Sequence, residues 1–419
     1  MNLIPTAEKQ KVLIVHNFYQ IPGGEDTVVA NEKKLLEDNG HEVFLYTRHN
    51  SEINKMNIFR KLLLPFVSIY NPRTSREIKR IINENGIDVV HVHNTLNLIS
   101  PSVYYAAVRC GVPVVQTVHN FRFICPVALL YRDGHICEDC IDKGFRCALN
   151  HGCYRGSRIQ TFIIVLSSLI HRATGIYRKI NFICLTEFNR QKLLYLNKKR
   201  DIIDPSGVFV KPNFTFFDTD NIAASETNRN FNNESFLYAG RLDETKGVKV
   251  LFEAWKIMGT NAPHLIVCGK GPLEDWCRCH AKELGNVEIK GFVESSVLSE
   301  LISESSAVIV PTLLYEGFPM NIAEAFSAGV PVICSDIGNA GDLVEDGVTG
   351  WKFSVGSAEG LVRAVRKRMN SKNDISQNVK RVYNEKYTAD VNYCRLKDIY
   401  GHLKTAEKKT AFLKRKNNL

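Results

Sequence analysis

No apolar run in this 419-residue chain is long enough to cross a membrane. The longest, Thr161-Phe162-Ile163-Ile164-Val165-Leu166, is cut short by Ser167 and Ser168. A signal-peptide pattern is also missing. Met1 to Gln10 is polar, and the first apolar run is only Val12 to Val15. The expected location is therefore cytoplasmic. Without a secretory signal, the 12 cysteines point to thiols or metal ligands rather than disulfides. The chain has no Gly-x4-Gly-Lys-Ser/Thr phosphate loop and no short-range repeat. It also lacks any nucleic-acid motif, so no nucleic acid is expected as a partner.

What is present is an ordinary globular composition, 44% hydrophobic and 23% charged, at a length that suits two or three domains. The net charge of +10 is unevenly placed. Met1 to Pro212 holds 28 Lys+Arg against 18 Asp+Glu, so the remainder nets zero. The last segment, Leu403 to Leu419, carries six basic residues and one acidic one. Such a bias suits an anionic membrane surface or a phosphate-bearing substrate, or is a solvated surface feature.

Short β-rich runs alternate with helical patterns along most of the chain. Strands are expected at Val12–Val15, Val43–Tyr46, Val89–Val92, Val114–Val118 and Phe182–Leu185. Val28, Val29, Leu35 and Leu36 mark the first helix. A second series runs through Phe236–Ala239, Leu265–Cys268, Val287–Ile289, Val308–Val310 and Val332–Cys334. Repeated βα units predict parallel sheets covered on both faces, in an α/β chain of two doubly wound domains facing across a cleft. The expected division is 1–212, 213–388, and a C-terminal helix with basic tail, 389–419, packing back on the first domain. The polar stretch Asp218 to Ser235 reads as a linker or surface excursion.

Several loops carry chemistry. In open α/β sheets, ligands meet the loops at the carboxyl ends of the strands. Gly23 and Gly24 form a turn into a helix, where backbone can approach a phosphate. His119 follows its strand directly and so faces the expected cleft, with a phosphate or a sugar hydroxyl in reach. His91 and His93 lie two apart on a strand, hence on one face; one of them reads equally as a satisfied core residue. In the second half, Gly240-Arg241-Leu242-Asp243-Glu244-Thr245-Lys246-Gly247 places two cations around a turn that opens a helix, a diphosphate clamp. Cys268-Gly269-Lys270-Gly271-Pro272 is another glycine turn, expected to let a ligand approach the backbone. Finally, Glu316-Gly317-Phe318-Pro319 ends at a helix start, with Glu324 about one turn further on. Two carboxylates beside a phosphate site can grip sugar hydroxyls.

In this order and spacing, these motifs resemble the retaining family-4 glycosyltransferases of the GT-B fold. The resemblance runs over nearly the whole chain and includes Thr117-Val118-His119-Asn120 and Val210-Lys211-Pro212-Asn213. It implies that Arg241 and Lys246 hold the donor diphosphate and that Glu324 binds the ribose hydroxyls. Glu316, Gly317 and Phe318 would meet the donor sugar. Gly23 and Gly24 approach from the N-terminal side, His119 sits beside the transferred sugar, and the base lies near Gly269 and Gly271. No cofactor is required for catalysis in such proteins. The implied reaction moves a sugar from a UDP- or GDP-sugar to a lipid-linked or glycan acceptor, in assembly of capsule, exopolysaccharide or O-antigen. A nucleotide-sugar epimerase or hydrolase, and a metal-stabilised sugar-nucleotide-binding protein without catalysis, are the alternatives.

Five cysteines crowd between Cys125 and Cys153. Cys137-Glu138-Asp139-Cys140 has zinc-knuckle spacing. Cys125, Cys137, Cys140 and Cys153 form the candidate structural zinc set, with Cys147 and His151 as other candidates and reduced thiols in a loop as the alternative. Two mixed segments, Lys55 to Phe66 and Arg155 to Lys179, read either as interfacial helices on anionic lipid or as buried core helices.

Overall fold

The computed structural model describes residues 9–20, 23–216, 235–371 and 373–417, with side chains as far as 405. Nearly all of the polar stretch read as a linker, and most of the basic tail's side chains, lie outside these residues. The chain divides into two compact units. One comprises Met1–Ala128, Glu138–Lys211 and Asn392–Leu419; the other comprises Leu129–Cys137 and Pro212–Val391. A short hairpin from the cysteine-rich insert is thus grouped with the second unit.

The first unit holds a six-stranded parallel sheet in the order β2-β1-β3-β4-β7-β8. Its strands are β1 (Lys11–Phe18), β2 (Glu42–His49), β3 (Val89–Asn94), β4 (Val114–Val118), β7 (Asn181–Cys184) and β8 (Val208–Val210). β5 (Tyr131–Arg132) and β6 (His135–Ile136) make the hairpin. Every residue of β3 and β4 is buried, as a central strand covered on both faces requires. Val12, Ile14, Val89, Val115 and Ile183 pack with Val29 and Leu36 of the Gly24–Asp38 helix. The final helix, Ala389–Asn417, adds Leu396, Ile399, Tyr400 and Leu403 to that core.

The second unit has a parallel sheet in the order β11-β10-β9-β12-β13-β14. Its strands are β9 (Ser235–Ala239), β10 (His264–Cys268), β11 (Val287–Gly291), β12 (Ala307–Val310), β13 (Val332–Ser335) and β14 (Gly350–Phe353). Alternate side chains feed two cores. Phe236, Tyr238, Leu265 and Val267 pack with Trp255 and Leu361 on one face. Leu237, Ile266, Val308 and Val310 pack with Phe326 and Tyr383 on the other. This is the period-two alternation of a sheet with helices on both sides.

β8 and β14 carry weak strand signals. β14 begins with Gly350, whose position admits no side chain: a Cβ there would lie 1.9 Å from the Val332 carbonyl oxygen. β8 is three residues long and directly follows the Pro205–Gly207 turn.

Candidate functional site

The two sheet orders put a topological switch point in each unit, where successive strands begin to be added on the opposite side. It lies between β1 and β3 in the first unit and between β9 and β12 in the second. Ligands of open α/β sheets bind outside the strand carboxyl ends at such points.

In the second unit the loops after β9 and β12 are laced together. Asp243 Oδ1 accepts from the Lys246 amide at 3.1 Å and caps a one-turn 3₁₀ helix, Glu244–Lys246. Gly247 follows at φ +74°, and a Cβ there would fall 1.7 Å from the Pro311 carbonyl oxygen. The Leu313 amide donates to the Thr245 carbonyl at 2.8 Å. Lys246 Nζ is thereby brought to 2.5 Å from Glu316 Oε2, with side-chain exposures of 31% and 13%. Asn339, buried in the Gly338–Leu343 helix that follows β13, donates to the carbonyls of Glu316 and Gly317 and holds the glutamate loop from behind. Arg241 is mostly exposed and meets Asp243 at 3.2 Å.

Glu324 sits in the Met320–Ser327 helix. Burial pushes its carboxyl up to about 7, because a low-dielectric site disfavours the charged form. Phe318 is half-buried against the core, its ring edge-on to Tyr387. Gly269 and Gly271 are explained by the chain itself. A Cβ on Gly269 would lie 1.9 Å from the Gly240 carbonyl oxygen, and one on Gly271 would lie 2.3 Å from that of Leu242. The two glycine loops run against each other, with the Leu242 amide donating to the Lys270 carbonyl at 3.0 Å. The glycines are therefore needed for loop-on-loop packing, whether or not a ligand approaches them.

In the first unit the switch point is crowded with imidazoles. Gly23 is the N-cap of the Gly24–Asp38 helix. Asp26, three residues on, accepts from the Gly23 amide at 3.1 Å and lies 2.8 Å from His16 Nε2. Beside it, burial pushes the Glu25 carboxyl up to about 8, with the Tyr19 hydroxyl donating at 3.2 Å. His119 leaves β4 and lies with Nε2 2.9 Å from His93 Nδ1. Burial holds both rings well below the usual imidazole range. His91 is the satisfied core histidine, with Tyr400 Oη at 2.8 Å and Thr117 Oγ1 at 2.7 Å. His93, His119, Asn120, Arg122, Tyr104 and Arg172 are among the residues around a pocket of ≈ 820 Å³, part of it open to solvent.

Residues 221–385 match the family described as Glycosyl transferases group 1, and residues 22–135 match Glycosyltransferase Family 4. The chain belongs to the GT-B glycosyltransferases. An uncharacterised glycosyltransferase of Methanocaldococcus jannaschii is 24% identical over 76% of this chain and 78% of its own length. A phosphatidyl-myo-inositol mannosyltransferase of Mycolicibacterium smegmatis is 22% identical, over 83% of this chain and 81% of its own. Among solved structures, Anabaena HepE in complex with UDP superposes with a TM-score of 0.63 at 15% identity, covering 94% of this chain and all of that one.

The glycosyltransferase thus brings Lys246, Glu316 and the Arg241 turn together at one switch point. It places His119, Gly23 and Gly24 in the other unit. Of the four candidate zinc ligands, Cys125, Cys140 and Cys153 belong to the first unit and Cys137 to the second. Cys140 and Cys153 meet in a small apolar cluster with Phe145, Ala148 and Val165.

Glu32 escaped the sequence reading, and Lys211 entered it only within the Val210-Lys211-Pro212-Asn213 motif with no role assigned, although both are fully buried. A signal for the first was available. Val28, Val29, Glu32, Leu35 and Leu36 make one helical stripe, and a carboxylate inside such a stripe needs a partner.

The Ile58–Ile69 helix buries no residue. Phe59 is 73% exposed, and Ile58, Leu62, Leu63 and Phe66 are exposed with it. It packs against the Arg158–Ala173 helix, where Ile159 and Phe162 are also exposed while Ile164 and Val165 are buried. No described helix is long and apolar enough to cross a membrane.

Proposed function

We propose that this glycosyltransferase transfers a sugar, with retention of anomeric configuration, from a UDP- or GDP-sugar to a lipid-linked acceptor in surface-polysaccharide assembly. The observation that carries the reading is the Lys246–Glu316 contact at the second unit's switch point, with Arg241 on the same turn. Glu316 neutralises Lys246. A donor diphosphate would compete for that ammonium, releasing the carboxylate to a sugar hydroxyl. Glu324 would take the ribose hydroxyls. The C1–O bond to the diphosphate breaks as the acceptor oxygen bonds C1 on the same face. The acceptor's proton passes to the leaving phosphate oxygen. Arg241 and Lys246 oppose the charge that grows there.

Support for a lipid-linked acceptor comes from the first unit. Ser68 of the Ile58–Ile69 helix, and Ile164, Ser167, Ser168 and Arg172 of the Arg158–Ala173 helix, line the pocket. The same two helices present exposed apolar side chains, with Arg60, Lys61 and Arg158 beside them. One pair of helices would thus contact anionic lipid and wall the acceptor pocket, as expected of a cytoplasmic protein peripheral to the membrane. The names of relatives agree in kind, one acting on a phosphatidylinositol and one binding UDP.

The test is a panel of UDP- and GDP-sugars with a lipid-diphosphate acceptor, scored by mass spectrometry of the lipid and NMR of the new anomeric centre. A glycosylated lipid of unchanged configuration is expected. Free sugar or an epimerised donor alone would favour a hydrolase or epimerase. The cysteine-rich insert offers soft thiol donors of the kind that suit a structural zinc. Elemental analysis of protein purified without chelator should then find about one zinc per chain. Protein that is metal-free and fully folded would remove zinc from the proposal.

A further inference from the structure

Between the sheet of the first unit and its first helix lies a buried group that the proposed reaction does not use. Glu32 Oε1 is 2.9 Å from Lys211 Nζ, and Glu32 Oε2 is 3.3 Å from His93 Nε2. All three side chains are essentially shut off from solvent. Lys211 also donates to Asn392 Oδ1 at 3.0 Å. The Glu32 contacts are short without hydrogen-bond alignment, so their influence is chiefly electrostatic. Burial, the largest influence, pushes the Glu32 carboxyl up, but Lys211 and His91 together outweigh it and hold the group below the usual range. Glu32 is therefore a carboxylate.

Glu32, His91 and His93 bring three metal-ligand atoms within 4.8 Å of one another. The cation there is already Lys211. His91 has both ring nitrogens engaged, by Tyr400 and Thr117. The group is better read as a relay. A bare imidazole nitrogen 3.3 Å from a buried carboxylate would set two lone pairs against each other, so the His93 proton belongs on Nε2. His93 Nδ1 is then an acceptor, and the contact at 2.9 Å makes His119 Nε2 its donor. Burial keeps both rings neutral at pH 7, so each carries a single N–H.

We propose that the buried Glu32–Lys211 pair acts through His93 to fix His119 in its Nε2–H tautomer, leaving His119 Nδ1 as a hydrogen-bond acceptor at the pocket for a substrate hydroxyl. A neutral ring with its lone pair outward accepts a hydroxyl proton and repels a phosphate oxygen. His119 is thereby assigned to sugar or acceptor hydroxyls, not to the diphosphate. Glu32, His93 and Lys211 are positioning residues. The hydroxyl partner rests on the glycosyl-transfer reading; the tautomer does not.

The experiment is long-range ¹H–¹⁵N correlation on ¹⁵N-histidine-labelled full-length protein at pH 7 without substrate, assigned with His93→Gln and His119→Gln. The wild type should show Nε2–H at both His93 and His119. In Glu32→Gln, Lys211 attracts the amide oxygen and turns the amide N–H₂ toward His93. Both rings should then switch to Nδ1–H. Glu32→Asp should keep the wild-type pattern. The double variant Glu32→Leu/Lys211→Met removes the buried charges together and should leave a mixture. Nδ1–H at His119 in the wild type, or an unchanged His119 signal in folded Glu32→Gln, would overturn the proposal. The wild-type spectrum decides even if Glu32→Gln does not fold. In a transfer assay Glu32→Gln should lower kcat about tenfold with little change in donor KM. Absent transfer by the wild type would sink the glycosyl reading and leave the spectrum standing.

Discussion

The two switch points handle charge in opposite ways. In the second unit, Arg241 is mostly exposed, and Lys246 and Glu316 pair at 2.5 Å in a half-buried position. In the first unit Glu32 and Lys211 are paired beneath the site, and the pocket receives the neutral His119 ring beside Arg122 and Arg172. Exposed cations suit a diphosphate, whose own charge repays their desolvation. Neutral acceptors suit hydroxyls, which need direction more than charge. A two-unit transferase that binds a nucleotide in one unit and aligns hydroxyls in the other would need this division.

The strongest way to break the comparison is to remove the Lys246–Glu316 pair. Lys246→Ala or Glu316→Ala should lower kcat by about 10²- to 10³-fold with the fold intact by circular dichroism. Unimpaired transfer would show that the pair is structural. Next in size is Gly247→Ala. It sets a Cβ at positive φ against the Pro311 carbonyl and should cost about 2–4 kcal/mol of stability, read by urea denaturation, together with loss of donor binding. If stability fell and donor affinity did not, the lacing of the two loops would not serve the site.

Glu324 sharpens the contrast through pH. Its carboxyl is raised by burial to about 7, so it is protonated below that pH and ionised above it. A carboxylate accepts two ribose hydroxyls, while the acid loses acceptor capacity. Donor affinity should therefore rise about three- to tenfold between pH 6 and pH 8, and Glu324→Gln should flatten the profile in calorimetry. The stability sign is opposite. The raised pKa favours the folded state less as pH climbs from the ordinary carboxyl value through 7. The smallest effect belongs to the lipid face. Phe59→Ser with Leu62→Ser should reduce sedimentation with anionic vesicles at low salt by about tenfold or less, leaving transfer to a water-soluble acceptor unchanged.

Much of this architecture was legible. Ten strands were marked by short, apolar β-rich runs, and the structure puts a strand at each. β8 and β14 were missed because three or four residues, one of them a strand-initial glycine, carry too little pattern. Arg241, Lys246 and Glu316 were legible as members of loops after strands. Their contact was not, since Lys246 and Glu316 lie 70 positions apart. Gly269 and Gly271 were legible as necessary glycines, but for a reason only the structure supplies: a neighbouring carbonyl occupies the space a side chain would take. The Ile58–Ile69 helix could be read as buried or interfacial from composition alone, and the fold leaves it exposed.

The sequence by itself determined the βα alternation, the two-unit division and the residue types at the strand ends, because periodicity and turn chemistry are local properties. Tertiary structure alone decided which charges face solvent and which are sunk. Glu32, Lys211 and Asn392 come from three distant parts of the chain and meet only when the last helix packs on the first sheet. Whether a carboxylate grips a substrate or orients a histidine depends on that burial, and burial belongs to the whole fold.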